Sequence, residues 1–342
     1  MKSTHNYLSW VEQLRSSAII AVIVLHISAP VAMLSEAYSM EWWVGNVINW
    51  ASRWCVPVFV LIYGYLAYRN PPIDVYSYYQ KRFHRIFIPT LAWSIIFLAW
   101  FALFLTIKGE PFHFKQLLML WLSGKPFYHL WYLYMLLSLE IFIPLMVFAF
   151  QKLNTTESVF FTILVVIYSA IASIYYDLSN GIFLFWFLPY LSYVMLGMTF
   201  ARVEFHSKSL YLILGIVAIY LFGCLFLIPI KYGEINLRDW FFTYFSLPVF
   251  LIASGIFLLA KKSNLQSVQL VRVLSQASFG IYLVHPMWIN VMSAFQIKAV
   301  NFIPLLSIPI ISAICLALST VSVWVIRKNK FTRQILLGES IT

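Results

Sequence analysis

The chain has 342 residues, of which 62% are hydrophobic, 19% aromatic and only 10% charged, with a mean hydropathy of +0.84 and a formal net charge of +11. Soluble domains carry about 25% charged and about 45–50% apolar residues, so this composition excludes an ordinary cytosolic enzyme, a disordered chain and a nucleic-acid-binding domain. What remains is an all-α, polytopic membrane protein whose positive charge must be explained by position.

A crossing helix needs about 20 mostly apolar residues. In chain order, ten segments meet that length: 10–33, 43–67, 86–107, 129–150, 158–176, 182–201, 209–229, 240–260, 278–297 and 302–326. Pro189 sits mid-way in the sixth and is expected to kink it. With the N-terminus inside, fifteen of the 23 Lys and Arg residues fall in inner connections and six in outer ones, while Arg15 and Arg53 lie within spans. Basic residues concentrate in cytoplasmic loops, so both termini are expected on the cytoplasmic side. No connection is long enough for a soluble domain, and residues 1–342 read as one membrane-embedded domain. The connection 108–128, with Phe112, Phe114, Trp121 and Phe127, is expected at the membrane interface, and 68–85 and 261–277 are expected to hold surface helices. Residues 16–34 are too long for a cleavable signal core. Cys55, Cys224 and Cys315 match no metal or redox spacing, and no metal is expected.

Charge inside a span is costly, so each instance invites a functional reading. In the first span Arg15 and His26 are eleven residues apart, close to three turns, so they share a face about 16 Å apart. Glu12 can pair with Arg15 on that face. Such a stripe suits a ligand anionic at one end and reactive at the other; an interfacial pair plus a structural histidine explains it equally well. Arg53 lies deep in the second span, where a buried partner such as Glu140 competes with snorkelling. Arg82 and Arg85 are three apart at the mouth of the third span and could clamp a phosphate or simply anchor the helix. His129 and Glu140 are again eleven apart, with Glu140 near mid-membrane and Trp131 and several tyrosines nearby. In the ninth span Pro286 frees a carbonyl one turn back, which His285 could satisfy, unless it contacts a ligand. Asp239 and Trp240 open the eighth span, where a capping carboxylate is the simplest reading.

Five segments resemble the acyltransferase-3 family of integral membrane acyltransferases. Arg15 and His26 match its opening Arg-ten-His motif, and Pro57 to Leu66 matches a segment in which Tyr63 stands where Ser is usual. Arg82 and Arg85 match an Arg-x-x-Arg motif. Tyr128 to Leu133 resembles a His-Leu-Trp segment, and Ser278 to Pro286 resembles a late Gly-Ile-Tyr-Leu-x-His-Pro segment. The resemblance implies a bacterial inner-membrane O-acyltransferase. It would move an acyl group, acetyl before succinyl, from cytoplasmic acyl-CoA to a hydroxyl of a surface or lipid-linked glycan. The short members that modify enterobacterial common antigen or poly-N-acetylglucosamine exopolysaccharide are the most similar in outline. Spacing and resemblance together cast His26 as general base and Arg82 and Arg85, helped by Arg15, as holders of the CoA phosphates. Arg53, His129 or a tyrosine hydroxyl would be the oxyanion partner, and Glu140 would orient a histidine or pair with Arg53. Tyr63, Trp131, Tyr282 and His285 would support the site. Acetyl-CoA is then a co-substrate, with no permanently bound cofactor. The partners would be the glycan acceptor, the bilayer and polysaccharide-synthesis proteins. The change to Tyr63 bears on any role of the usual Ser. The sequence alone does not choose between a direct transfer and a covalent relay through a tyrosine or histidine. A glycan transporter is the competing class, disfavoured because no inverted repeat or pair of broken helices marks a carrier and because the Arg-ten-His motif better suits a CoA ligand.

Overall fold

The computed structural model describes residues 2–111, 113–175, 183–204, 243–263 and 266–339, and every element among them is helical. The expected span 209–229, Cys224 and the Asp239–Trp240 cap lie outside the described residues. The chain opens with α1 (Lys2–Leu34), α2 (Met40–Ala51) and α3 (Cys55–Arg69). Next come α4 (Val75–Arg82), a π-helical turn at Phe83–Phe87, α5 (Ile88–Ile107) and α6 (Phe114–Leu122). Then follow α7 (Trp131–Lys152), α8 (Thr155–Tyr175) and α9 (Phe187–Arg202). The last four are α10 (Leu247–Lys262), α11 (Gln269–Ala294), α12 (Pro304–Lys328) and α13 (Lys330–Leu337).

Among the described residues, seven stretches are long and apolar enough to cross a membrane: Ser9–Leu34, Met40–Arg69, Val75–Ile107, Trp131–Lys152, Thr155–Ile174, Phe183–Arg202 and Pro304–Lys328. Two expected spans with described helices are not among these seven. In the eighth, the described helix is the 16-residue α10. In the ninth, α11 begins nine residues earlier than expected and takes in Gln269, Arg272 and Gln276, which lower its hydropathy. The sixth also differs from expectation. A 3-10 turn at Phe183–Phe185 precedes α9, so Pro189 falls in the first turn of α9, where its missing N–H interrupts nothing. α6 has no buried residue, as an interfacial helix would.

α4 starts at Asp74, whose carboxylate accepts from Tyr76 N (3.2 Å) and Ser77 N (2.9 Å). The Ser77 hydroxyl, then the Ser77 and Tyr76 N–H groups, hold that carboxyl below the usual carboxylate range. The cap fixes where α4 begins, and so the direction in which Tyr78 and Arg82 point.

α1 is the hub of the bundle and packs on α2, α3, α10, α11 and α12. Lipid tails are as apolar as leucine, so helices here associate by close packing rather than by escape from water. The tightest crossing joins α3 to α9. A Cβ on Gly64 would lie 2.8 Å from Val194 Cα, and one on Gly197 would lie 2.8 Å from Tyr65 N. Both glycines exist to let two backbones touch. At the cytoplasm-expected end, α13 ends at Gly338 in the left-handed region (φ 62°), pressed on the Arg85 backbone, while Trp93 Nε1 donates to Leu336 O at 2.9 Å.

Candidate active site

Three histidines from three parts of the chain meet in the bundle. The ring centroids of His26 and His285 are 5.3 Å apart, and those of His129 and His285 are 5.6 Å apart. A cavity of about 20 Å³, room for about one water, is lined among others by His26, His129, Cys55, Trp131, Tyr244 and Tyr282. Local sequence places each ring. Pro286 has no N–H, which strands the Tyr282 carbonyl. His285 Nδ1 donates to that carbonyl at 2.7 Å and to Ile281 O at 3.1 Å. A carbonyl can only accept, so Nδ1 carries the proton and Nε2 presents its lone pair. That Nε2 is buried with no hydrogen-bond partner among the described residues. His285 therefore satisfies the kinked backbone and faces the cluster, joining two readings that the sequence left as alternatives. Pro30 likewise removes the helical partner of the His26 carbonyl in α1. Tyr282 donates its hydroxyl to His129 O, fixing the turn before α7. Neither ring nitrogen of His129 has a hydrogen-bond partner in good geometry among the described residues. Trp131 lies near the rings of Tyr190 and Tyr244 and walls the cavity.

Arg53 serves this cluster and does not pair with Glu140. It sits in the turn between α2 and α3, and its Nε and Nη2 donate to Asn49 Oδ1 at 3.1 and 2.9 Å. Asn49 Nδ2 in turn reaches Leu25 O (3.0 Å) and Ser28 Oγ (3.3 Å), on either side of His26. The Arg53 guanidinium also lies 5.7 Å from the Tyr244 ring centre. Asn49 stands four residues before Arg53, the spacing of neighbours on one helical face, and the contact holds across the three-residue break at the end of α2.

A second polar centre surrounds Glu140. Its Oε2 accepts from Tyr63 at 2.5 Å and from Tyr78, and pairs with Arg82 Nε at 3.2 Å. The Arg82 guanidinium lies over both tyrosine rings. Arg82 and Arg85 do not share a face as α-helical spacing implies. The π turn at Phe83–Phe87 adds residues per turn, so Arg82 faces Glu140 while Arg85 is exposed. His129 and Glu140 also belong to different centres. α7 starts only at Trp131, and Glu140 lies nine residues, about 13 Å, further along it. Tyr132 stands between the centres and feels the charges of both Glu140 and Arg15. Glu12 reaches across to Arg272 Nε at 3.9 Å rather than along its own helix. Arg15 is left with no ion pair among the described residues, close enough to feel the charges of Arg85 and Glu12. Tyr78, Asn49, Tyr244 and Arg272 were not singled out in the sequence. For Tyr78 and Asn49 a signal existed: each stands four residues before its arginine, Arg82 and Arg53 respectively, and so shares its face.

The family model of an acyltransferase domain, that of acyltransferase-3, matches residues 8–326. The chain belongs to the acyltransferase-3 family. No curated protein and no solved structure matches it significantly. Both polar centres of this membrane acyltransferase lie within the matched region. Tyr63, where the resemblance leads one to expect Ser, is long enough to reach Glu140 from α3. Replacing Tyr63 by Ser or Phe in the acyltransferase should remove a hydrogen bond to a buried charge, worth about 1.5–3 kcal/mol. Thermal unfolding in detergent should show the fall. An unchanged midpoint would mean that Tyr78 and Arg82 hold Glu140 unaided.

Proposed function

We propose that the protein moves an acyl group, acetyl in the first instance, from cytoplasmic acyl-CoA to a hydroxyl of a surface or lipid-linked glycan. The observation that carries this reading is the histidine cluster around a small cavity, inside a bundle that belongs to an acyltransferase family. A neutral His26 takes the proton of the attacking hydroxyl. His285 Nε2, a fixed lone pair beside it, is placed to stabilise the imidazolium that results. His129, with two nitrogens free of hydrogen bonds among the described residues, and Arg53, through Tyr244, are the groups positioned for the thioester oxyanion. In this reading both termini face the cytoplasm of a bacterial inner membrane, and acetyl-CoA is a co-substrate without a resident cofactor. Polysaccharide-synthesis proteins are the natural neighbours.

The Arg82–Glu140 pair redistributes the expected phosphate clamp. Arg82 is already paired with Glu140, which supports a reading in which Arg85 and Arg15 meet the CoA phosphates instead. Replacing Arg85 and Arg15 by Gln should weaken acetyl-CoA binding at least about tenfold, or about 1.4 kcal/mol, by calorimetry in detergent. Unchanged affinity would make them helix anchors. The function itself is tested with labelled acetyl-CoA. Covalent label in the glycan fraction of membranes, absent from membranes without the protein, is the expected result. Glycan movement without label would favour a transporter.

A further inference from the structure

A groove of about 470 Å³ runs between α5 and α7 and is separate from the histidine cavity. Its long walls are apolar, formed by Phe87, Leu91, Leu137 and Ile141, with Trp121 and Leu122 of α6 at one end. Leu91, Ile141 and Leu122 are 36%, 52% and 58% exposed, and the first two belong to membrane-crossing stretches. The groove therefore opens sideways into lipid. At its polar end stand Arg82 and Glu140.

Glu140 is only 3% exposed, and its three hydrogen-bonding and ionic partners all converge on Oε2. Oε1 is buried with no partner among the described residues. The other hydroxyls of the groove are engaged elsewhere: Thr90 Oγ1 donates to Ile86 O, Ser138 Oγ to Tyr134 O and the Tyr79 hydroxyl to Ile141 O, while the Tyr134 hydroxyl bonds Ser94 Oγ. A carboxylate oxygen left in this state is an unmet demand for one donor.

We propose that this groove binds a neutral long-chain alcohol from the bilayer, with the chain along α5 and α7 and the hydroxyl donating to Glu140 Oε1. Three features select that class. The walls demand an apolar chain. The orphan oxygen demands a donor. Among the described residues that line the groove Arg82 is the one cation, and its pairing with Glu140 leaves no net charge to offer a phosphate head; Arg85 is not in the lining. A sugar head would bring several hydroxyls to a wall that can satisfy about one. The site is independent of acyl transfer at the histidines, since Glu140 lies about 13 Å along α7 from its start beside that cluster.

The test uses the full chain in phosphatidylcholine nanodiscs and a diazirine-bearing dodecanol, with labelled peptides mapped by mass spectrometry. Label should concentrate on α5 and α7 around Leu91, Leu137 and Ile141. Excess dodecanol should reduce it at least tenfold, and dodecyl phosphate should not. Leu91→Trp, which fills the groove from its exposed side, should remove the label while the protein stays monodisperse. Glu140→Ala should abolish the advantage of dodecanol over dodecane as competitor. Label spread evenly onto the lipid-facing Ile163, Ile167 and Ile171 of α8 would overturn the proposal, as would persistence of label in Leu91→Trp or equal competition by dodecyl phosphate.

Discussion

His26→Ala is expected to lower acyl transfer by at least about a hundredfold, the lower end of what a positioned general base contributes. The expected selectivity of this loss follows from the geometry. His26 makes no hydrogen bond among the described residues, and its ring meets Tyr128 and His285 edge-on or tilted at 5.1 and 5.3 Å. Truncating it removes a base without stranding a buried polar group, so the variant should insert and melt close to the parent. His285→Ala is the instructive contrast. It would expose the Tyr282 and Ile281 carbonyls at the Pro286 kink as well as delete a cluster member, so stability and activity should fall together. Turnover with labelled acetyl-CoA, read beside a melting curve for each variant, separates the two. Near-normal transfer by His26→Ala would remove His26 as the base.

Gly64→Leu should abolish accumulation of folded protein. Even the Cβ of Gly64→Ala would sit 2.8 Å from Val194 Cα, closer than real Cβ atoms approach, and the obstacle is backbone, which cannot swing aside. Overpacking of a dense interior typically costs about 1–3 kcal/mol, and Ala is expected in that range. Leu must separate α3 from α9, which would also draw Tyr63 away from Glu140 and shift the cavity wall at Cys55 and Val56. Gel filtration of detergent extracts reads the result. A monodisperse Gly64→Leu peak at parental yield would show that α3 and α9 can slide apart.

The membrane character and the family were legible because they rest on composition and on residues in order along the chain. His26 and His129 could be assigned to one site from their motifs, but the sequence left His285 between a backbone partner and a ligand contact, and its place in their cluster is a tertiary fact. What escaped was set by tertiary contact or by irregular backbone. Glu140 could be read as a buried carboxylate, but its partner could not, because Arg53 and Arg82 are equally basic on paper. The choice was made by Asn49, which holds Arg53 across the break at Ser52–Trp54, and by a π turn that rotates Arg82 inward. Helical spacing failed for Arg82 and Arg85 for the same reason. It failed for His129 because that residue precedes the helix to which it had been extrapolated. Glu12 preferred Arg272 because a neighbouring helix offered a cation that sequence separation hides.

The Arg82–Glu140 contact also governs how this part of the bundle meets a membrane voltage. A lone charge carried across the full field exchanges about 2.3 kcal/mol per 100 mV. Opposite charges held 3.2 Å apart feel nearly equal and opposing forces, and present the field with a short dipole instead of two monopoles. α4 and α7 are thus tied together by a contact on which an energised membrane has little grip. The arrangement of Tyr63, Tyr78, Arg82 and Glu140 should accordingly be the same in a polarised cell, a de-energised vesicle and a detergent micelle.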